Sequence, residues 1–278
     1  MKTKLCAAIV AGTLAFPALA GYGKDDTQIT FAFSGCGNNA RLFAEVLAQA
    51  ERGRGGKPVA AYADRFAGHS AGAMLALFLT LPHHSDGRPL SANETLVHKG
   101  KHAPNILNTL MAGALQSDKA WVQAEIRKYL GAALGSSANL RTSQLPGQVE
   151  VLMAEVVKDD APEGAEEFVI PASFTAAAAL SGAVPDANLA ELLTAAVSVE
   201  RLAGHVPLTG AGGESKSART FMDAGSRGTT DPTPNLIEAA MASGKPAHIF
   251  AFEGGFGFDQ PDPAGRRIDP GSPVSLRL

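Results

Sequence analysis

Residues 66–77, FAGHSAGAMLAL, place a serine between two glycines and continue directly into an apolar stretch. The pattern Gly68-His69-Ser70-Ala71-Gly72 fits a sharp turn between a strand and a helix, in which the flanking glycines relieve crowding around a strained backbone. Such a turn lifts the serine hydroxyl clear of a sheet, where it can act as a nucleophile. The same pentapeptide also arises by chance in a chain with 30 glycines, so an ordinary turn before a buried helix remains an alternative.

The segments around this turn alternate between strand and helix patterns. Residues 27–33, TQITFAF, are typical of a strand, and a glycine loop at 34–39 leads into 40–53, where the apolar residues fall on one helical face. A less regular strand is expected within 57–68. Residues 71–81, AGAMLALFLTL, are apolar on nearly every face, which predicts a buried helix. This β-α-β-α order predicts an α/β fold.

Further elements are expected downstream. Strands are predicted at QVEVLMAEVV (148–157), EEFVIPASF (166–174), ARTFMDAG (218–225) and PAHIFAFEGG (246–255). Helices are predicted from 105 to about 134, at 188–204 and at 233–244, where Gly244 supplies the stop. The polar segment 83–104 is expected to be a surface loop or lid, and the glycine-rich 209–217 a flexible connection.

The N-terminus has the three parts of a secretory signal peptide. Residues 1–20 carry two lysines, then an apolar run, then small residues before position 21. The apolar run is shorter than the ~20 residues that a membrane-spanning helix needs. We therefore expect cleavage after Ala20 and export to the periplasm or the medium, which leaves 21–278 as a single domain.

The net charge and the cysteine content indicate which kinds of partner and of covalent cross-link to expect. Cleavage would remove two lysines and no acidic residue, leaving 22 basic against 27 acidic residues and a net charge near −5. Such a surface offers little to a phosphate backbone, so we expect no nucleic-acid partner. Of the two cysteines only Cys36 would remain, so the fold is expected to rest on its core rather than on an internal disulfide.

Four histidines in the segment 83–104 raise the question of a metal site. His98 and His102 are four residues apart, but Gly100 lies between them, and no cysteine or paired carboxylate completes a ligand set. The glycine-rich 209–217 also lacks the Gly-Lys-Ser/Thr ending of a phosphate-binding loop. The sequence therefore implies no metal and no other cofactor.

Three short signals occur in a fixed order along the chain. Gly35-Cys36-Gly37 follows the first strand, the serine turn follows the second, and Asp223-Ala224-Gly225 follows a late strand. This order resembles that of the patatin-like phospholipases, which carry an oxyanion-hole glycine loop, a Gly-x-Ser-x-Gly turn and an Asp-Gly-Gly or Asp-Gly-Ala motif. The resemblance extends over roughly 28–255, including AAVSVERLAGHVPL at 195–208 before the aspartate.

The resemblance implies a three-layer α/β/α fold with a mainly parallel central sheet, and a serine hydrolase with a Ser–Asp dyad and no catalytic histidine. Ser70 would be the nucleophile and Asp223 the base, with the oxyanion hole at Gly35, Cys36 and Gly37. The substrate would be a phospholipid or another acyl ester, reached through transient contact with a membrane surface. Proton transfer to a carboxylate within about 3 Å is chemically reasonable if the site raises the low pKa of the aspartate or stabilises the oxyanion strongly.

The glycine loop departs from the Gly-Gly-Gly-x-Arg/Lys-Gly pattern of that family. Cys36 replaces a glycine, Asn39 replaces the basic residue and Ala40 replaces the last glycine. Backbone N–H groups can still form the hole, because the donors belong to the main chain and to the start of the next helix. The departure also supports a second interpretation, an exported lipid-binding or scaffold protein that keeps the fold without catalysis.

An esterase of the α/β-hydrolase type, with a Ser-acid-His triad, is a third interpretation. His205 precedes Asp223, which breaks the chain order of such a triad. His248 follows Asp223 but lies in a predicted strand, a poor place for a loop-borne catalytic group. His69 adjoins Ser70, and its ring is expected to project away from the hydroxyl and to line or support the site.

Overall fold

The computed structural model describes residues 27–35, 37, 40–82, 87–98, 100–115, 117–158, 167–210, 218–227 and 232–253. The predicted signal peptide, Cys36, the pair His83 and His84, and most of the glycine-rich connection lie outside the described residues. The rest is a mixed α/β structure built on one seven-stranded sheet.

The strands and helices alternate from the first strand to the helix that follows the serine turn, as the sequence predicts, and four helices in succession, this one included, then precede the third strand in the described residues. The strands are β1 (Gln28–Phe33), β2 (Arg65–His69), β3 (Val149–Lys158), β4 (Glu167–Phe174), β5 (Val206–Leu208), β6 (Arg219–Asp223) and β7 (Ala247–Phe252). The helices are α1 (Ala40–Gly53), α2 (Ala71–Thr80), α3 (Ala92–His98), α4 (Ala103–Gly113), α5 (Lys119–Leu134), α6 (Ala176–Leu180), α7 (Leu189–Val197), α8 (Glu200–Ala203) and α9 (Thr233–Ser243).

Parallel strands form the centre of the sheet. β1 pairs in parallel with both β7 and β2, and β2 pairs in parallel with β3. β4 and β6 run antiparallel to β3, and β5 runs antiparallel to β6. The parallel arrangement follows from the helical crossovers, since a strand that returns through a helix re-enters the sheet in the same direction.

The long strand β3 brings two strand ends together. β2 pairs with residues 149–152 of β3, and β6 pairs with residues 153–156. β4 pairs with residues 151–158 and overlaps both, so it must occupy the opposite edge. β2 and β6 therefore approach each other head-on along one edge of β3, with His69 opposite Leu152 and Asp223 opposite Met153 on the next rung. This junction places the end of β6 beside the serine turn.

Helices pack on both faces of the sheet. Alternate side chains of a strand point to opposite faces, and in β1 Phe31 and Phe33 join a buried cluster with Phe43 of α1. Ala32 points the other way and packs with Leu236 of α9. The sequence expectation of an α/β fold with a sheet parallel at its centre is confirmed.

Three parts of the fold differ from the sequence expectations. The segment 83–104, expected as a loop, contains α3, whose first turn is fixed by a reciprocal cap: Glu94 N–H donates to Ser91 Oγ (3.1 Å) and Ser91 N–H to Glu94 Oε2 (2.8 Å). The helix expected at 188–204 is divided into α7 and α8, because the carbonyl of Ser198 accepts the Asp223 N–H (3.0 Å) instead of continuing the helix. β5 and α6 were not anticipated.

Candidate active site

Ser70 occupies the sharp turn that the sequence predicts. β2 ends at His69, α2 begins at Ala71, and Ser70 between them has φ 53° and ψ −131°. Ser70 is the one non-glycine residue with positive φ in the part of the chain that the structure describes. A side chain held in such a conformation costs on the order of 1–3 kcal/mol, and such strain concentrates at functional sites.

The two flanking glycines let the backbone of the turn close up tightly. A Cβ on Gly68 would lie 2.5 Å from the carbonyl of Gly72, and a Cβ on Gly72 would overlap the carbonyl of Phe33. Neither glycine has positive φ. They are therefore required because α2 starts directly against β1 and β2, and this close packing fixes the direction of the Ser70 side chain.

Asp223 lies at the end of β6 and is 2% exposed. Its carboxylate accepts a hydrogen bond from the Gly225 N–H (2.8 Å), and the Ser70 hydroxyl is close enough to favour the ionised form and lower its pKa. Its own N–H is held by the Ser198 carbonyl, so backbone and side chain are both fixed. The structure thus brings together the serine and the aspartate that the sequence pairs across 153 positions of the chain.

Burial changes the acidity of this carboxylate. Removal from water raises the pKa of Asp223 from 3.8 to about 6, although the nearby Ser70 hydroxyl and the hydrogen bond from the Gly225 N–H act in the opposite direction. A base with a pKa near the working pH combines availability of the ionised form with a useful affinity for the proton. The condition that the sequence argument set for an aspartate base is therefore met.

The glycine loop approaches the serine turn from β1. The Gly35 N–H donates to His69 Nε2 (2.7 Å), and a Cβ at Gly35 would lie 2.5 Å from that atom and 2.9 Å from the Ser70 Cβ. Gly37 has φ 50° and lines the same cavity as Ser70. The loop backbone therefore passes within van der Waals distance of the serine, while Cys36, the middle residue of the predicted oxyanion hole, lies outside the described residues.

The histidines differ in their relation to Ser70. His69 is 2% exposed, and its ring accepts the Gly35 N–H, so it supports the loop. His248 pairs with Ile29 at the opposite end of the sheet, at the level of residue 64, which directly precedes β2. Six residues of extended strand separate that level from Ser70, which corresponds to about 20 Å. His248 is therefore out of reach, and His205 is paired with Glu200 (3.4 Å).

An apolar cavity of about 330 Å³ opens beside Ser70. Half of its lining residues come from α2 and α4, and the others include residues of the glycine loop, α1, α3 and α7. Arg41 lies at its edge and forms an exposed pair with Glu45 (3.1 Å). The volume falls at the small end of the range typical of ligand sites, and the lining suits a hydrocarbon group rather than a sugar or nucleotide.

Other site classes receive no support from the described residues. Within these ranges, no group of three or more His, Cys, Asp and Glu side chains is arranged to hold a metal ion. No helix in the same ranges is long and apolar enough to cross a membrane.

Comparison with models of known protein families gives no match for this chain, and a search of curated proteins finds no similar sequence. The patatin-like resemblance therefore rests on the three short sequence motifs.

Sequence reasoning missed the groups that hold the dyad and form the cavity. Ser198, whose carbonyl anchors Asp223, was assigned to the interior of a helix. The helix α3 was hidden in a polar segment, although its Ser-x-x-Glu cap at 91–94 was an available signal. A further unpredicted support is Glu51, a buried carboxylate that accepts the N–H of Ala92 (2.8 Å) at the start of α3 and that of Val59 (2.8 Å).

Proposed function

We propose that the protein is a serine acyl hydrolase of the patatin-like type, which cleaves acyl esters of phospholipids or related lipids through an acyl-enzyme on Ser70. The observation that carries the proposal is the placement of a strained, turn-borne serine next to a buried aspartate and beside an apolar cavity. Helices on both faces of the sheet support the three-layer arrangement of that family. In this proposal the enzyme acts outside the cytoplasm after removal of residues 1–20.

The dyad would carry the proton through both halves of the reaction. As Ser70 Oγ attacks the ester carbonyl carbon, its proton passes to the Asp223 carboxylate. The tetrahedral intermediate then expels the alcohol, which takes the proton from Asp223 and leaves the acyl group on Ser70. In the second half Asp223 accepts a proton from water as the water oxygen attacks the acyl-enzyme, and returns it to Ser70 when the fatty acid departs.

The negative charge on the tetrahedral oxygen needs backbone donors. The N–H of Ala71 belongs to the first turn of α2, whose amides have no acceptor within the helix, and it follows the nucleophile directly. Gly37 in the loop is the second donor that we assign, since it lines the cavity with Ser70. The Gly35 amide already donates to His69, so its role in this proposal is to position the loop.

A second candidate is a lipid-binding protein without catalysis. The engagement of the Gly35 amide by His69 favours it, because one of the three predicted oxyanion donors is then directed elsewhere. Such a protein would use the same apolar cavity to hold an acyl chain and would release no product.

Hydrolysis assays separate the two candidates. We expect the wild-type protein to release 4-nitrophenol from 4-nitrophenyl octanoate and octanoic acid from dioctanoyl phosphatidylglycerol. Ser70→Ala should abolish both activities, and Asp223→Asn should lower kcat by about 10²–10⁴-fold, the usual contribution of a general base. Ser243→Ala, at an exposed serine near the start of β7, serves as the control and should behave as wild type. Octanoate binding without turnover by folded wild-type protein would establish the second candidate instead.

A further inference from the structure

The cavity beside Ser70 has a length that can be estimated, because one helix lines it over two turns. Beyond Ser70, helix α2 contributes Ala71, Met74, Leu75 and Phe78, which recur at the spacing of one helical face. Eight residues separate Ser70 from Phe78, and at a rise of 1.5 Å per residue this corresponds to about 12 Å.

Phe78 is the residue of α2 that lines the cavity farthest along the helix from Ser70. Side chains on a helix lean toward its N-terminus, which is the end of α2 at which Ser70 lies. Phe78 is 6% exposed and belongs to the same buried cluster as Ile106 and Leu110 of α4, which line the cavity with it. The exposed residues of the lining, Arg41 and Pro104, mark the mouth.

The length and the volume of the cavity give similar estimates of how many carbons it can hold. An extended chain advances about 1.2 Å per single bond, because three backbone bonds span roughly 3.3–3.6 Å, so 12 Å accommodates about ten bonds. A volume of about 330 Å³ holds about eleven methylene-sized groups at ~30 Å³ each, the volume of a water molecule in the liquid. The lean of the Phe78 ring shortens the usable length slightly.

We propose that this site accepts one acyl chain of about eight to ten carbons and that Phe78 sets the upper limit. The inference rests on the proposed function, because it treats Ser70 as the point of acyl attachment. Each added methylene up to the limit gains buried apolar contact, which raises kcat/KM about fourfold per carbon. Beyond about ten carbons the chain meets Phe78 and the gain stops.

The first test is a chain-length series. For wild-type protein, kcat/KM toward 4-nitrophenyl esters of two to sixteen carbons should rise to a maximum at eight to ten. Phe78→Ala removes the end wall, so the maximum should move by about two to four carbons toward longer chains, as expected for the space of a deleted ring. Leu79→Ala is the matched control: it removes bulk from the adjacent, fully buried position of α2, which does not line the cavity, and should leave the maximum in place.

A second variant makes the test independent of whether Phe78→Ala folds. Met74 is partly buried and lies one turn beyond Ser70, about 6 Å along the helix. Met74→Phe should lower kcat/KM for the octanoyl and decanoyl esters at least tenfold, and should change the acetyl and butyryl esters less than threefold. Equal losses across the series would overturn the assignment of the cavity to the acyl chain.

Two further measurements distinguish failure of this inference from failure of the proposed function. Labelling by a small fluorophosphonate measures whether Ser70 is an active nucleophile. Calorimetric binding of octanoic, decanoic and tetradecanoic acids to Ser70→Ala measures which chain lengths the cavity accepts. Labelling of Ser70 with no chain-length preference in hydrolysis or binding would overturn the inference and leave the hydrolase intact. Preferential binding of the eight- and ten-carbon acids without labelling would support the cavity assignment and overturn the catalytic proposal.

Discussion

Replacing Asp223 with asparagine removes a buried ionisable group while keeping the size and shape of the side chain. Because burial raises the pKa of Asp223 from 3.8 to about 6, the folded protein binds a proton at this site more tightly than the unfolded chain does. Between pH 4 and 6 the folded state therefore holds the extra proton, and the free energy of unfolding falls as the pH rises. Asparagine does not titrate, so the free energy of unfolding of the variant does not fall with pH for this reason.

The size of the effect follows from the shift in pKa. About two pKa units correspond to about 3 kcal/mol at 1.36 kcal/mol per unit. Because the unfolded carboxyl is already partly ionised at pH 4, we expect the difference in unfolding free energy, Asp223→Asn minus wild type, to increase by about 2.5 kcal/mol between pH 4 and pH 7. Any fixed cost of exchanging carboxylate for amide hydrogen bonds is present at every pH and cancels in this comparison.

Urea unfolding of both proteins at half-unit steps from pH 4 to pH 7 measures this difference, provided that the m-values agree. The predicted curve already rises at pH 4, is steepest near pH 5 and reaches a plateau above pH 6. A difference that stays constant across the range would show that Asp223 is not held with a raised pKa and would refute the electrostatic argument for it as a base.

The remaining predictions concern the dependence of kcat/KM on pH on the acidic side and the backbone of the serine turn. Since the base must be ionised, kcat/KM for 4-nitrophenyl octanoate should rise with pH to a plateau, with a midpoint near pH 6 for Asp223; a midpoint near 4 would contradict the burial effect. Ser70→Gly should be more stable than Ser70→Ala by about 1–3 kcal/mol in thermal unfolding, because glycine relieves the strain at φ 53°, and equal stabilities would argue against strain. Gly72→Ala should destabilise the fold by about 1–3 kcal/mol or more, because its Cβ would overlap the Phe33 carbonyl. Gly131→Ala, at a helical glycine with open space around it, should instead stabilise by about 0.5–1 kcal/mol, and a similar loss in both variants would count against the steric argument.

The parts of the fold that the sequence predicts well are those with local signals. β1 and α1 follow from an apolar run and from a one-sided helical pattern, and the serine turn follows from glycine spacing around Ser70. Gly244 ends α9 in the left-handed conformation, as its position predicts. Each of these signals lies within a few residues of the feature it specifies.

The parts that the sequence does not predict depend on pairings between distant segments. No local pattern in β3 indicates that one of its edges is shared by β2 and β6, yet this sharing places Asp223 beside the serine turn. The break after α7 likewise depends on Ser198 accepting the N–H of a residue 25 positions later. The cavity beside Ser70 arises where α2 and α4 pack, and no local pattern indicates which residues of these two helices line it together.

The most direct test of the dyad is the site and rate of fluorophosphonate labelling in wild type, Ser70→Ala and Asp223→Asn, read by intact mass and peptide mapping at pH 7.5. Such a probe reacts with a serine only where a base and oxyanion donors are assembled around it. The account predicts one adduct on the peptide that contains Ser70, no adduct in Ser70→Ala, and labelling at least a hundredfold slower in Asp223→Asn. Folded wild-type protein that takes up no label, or an adduct that maps to another residue, would contradict it.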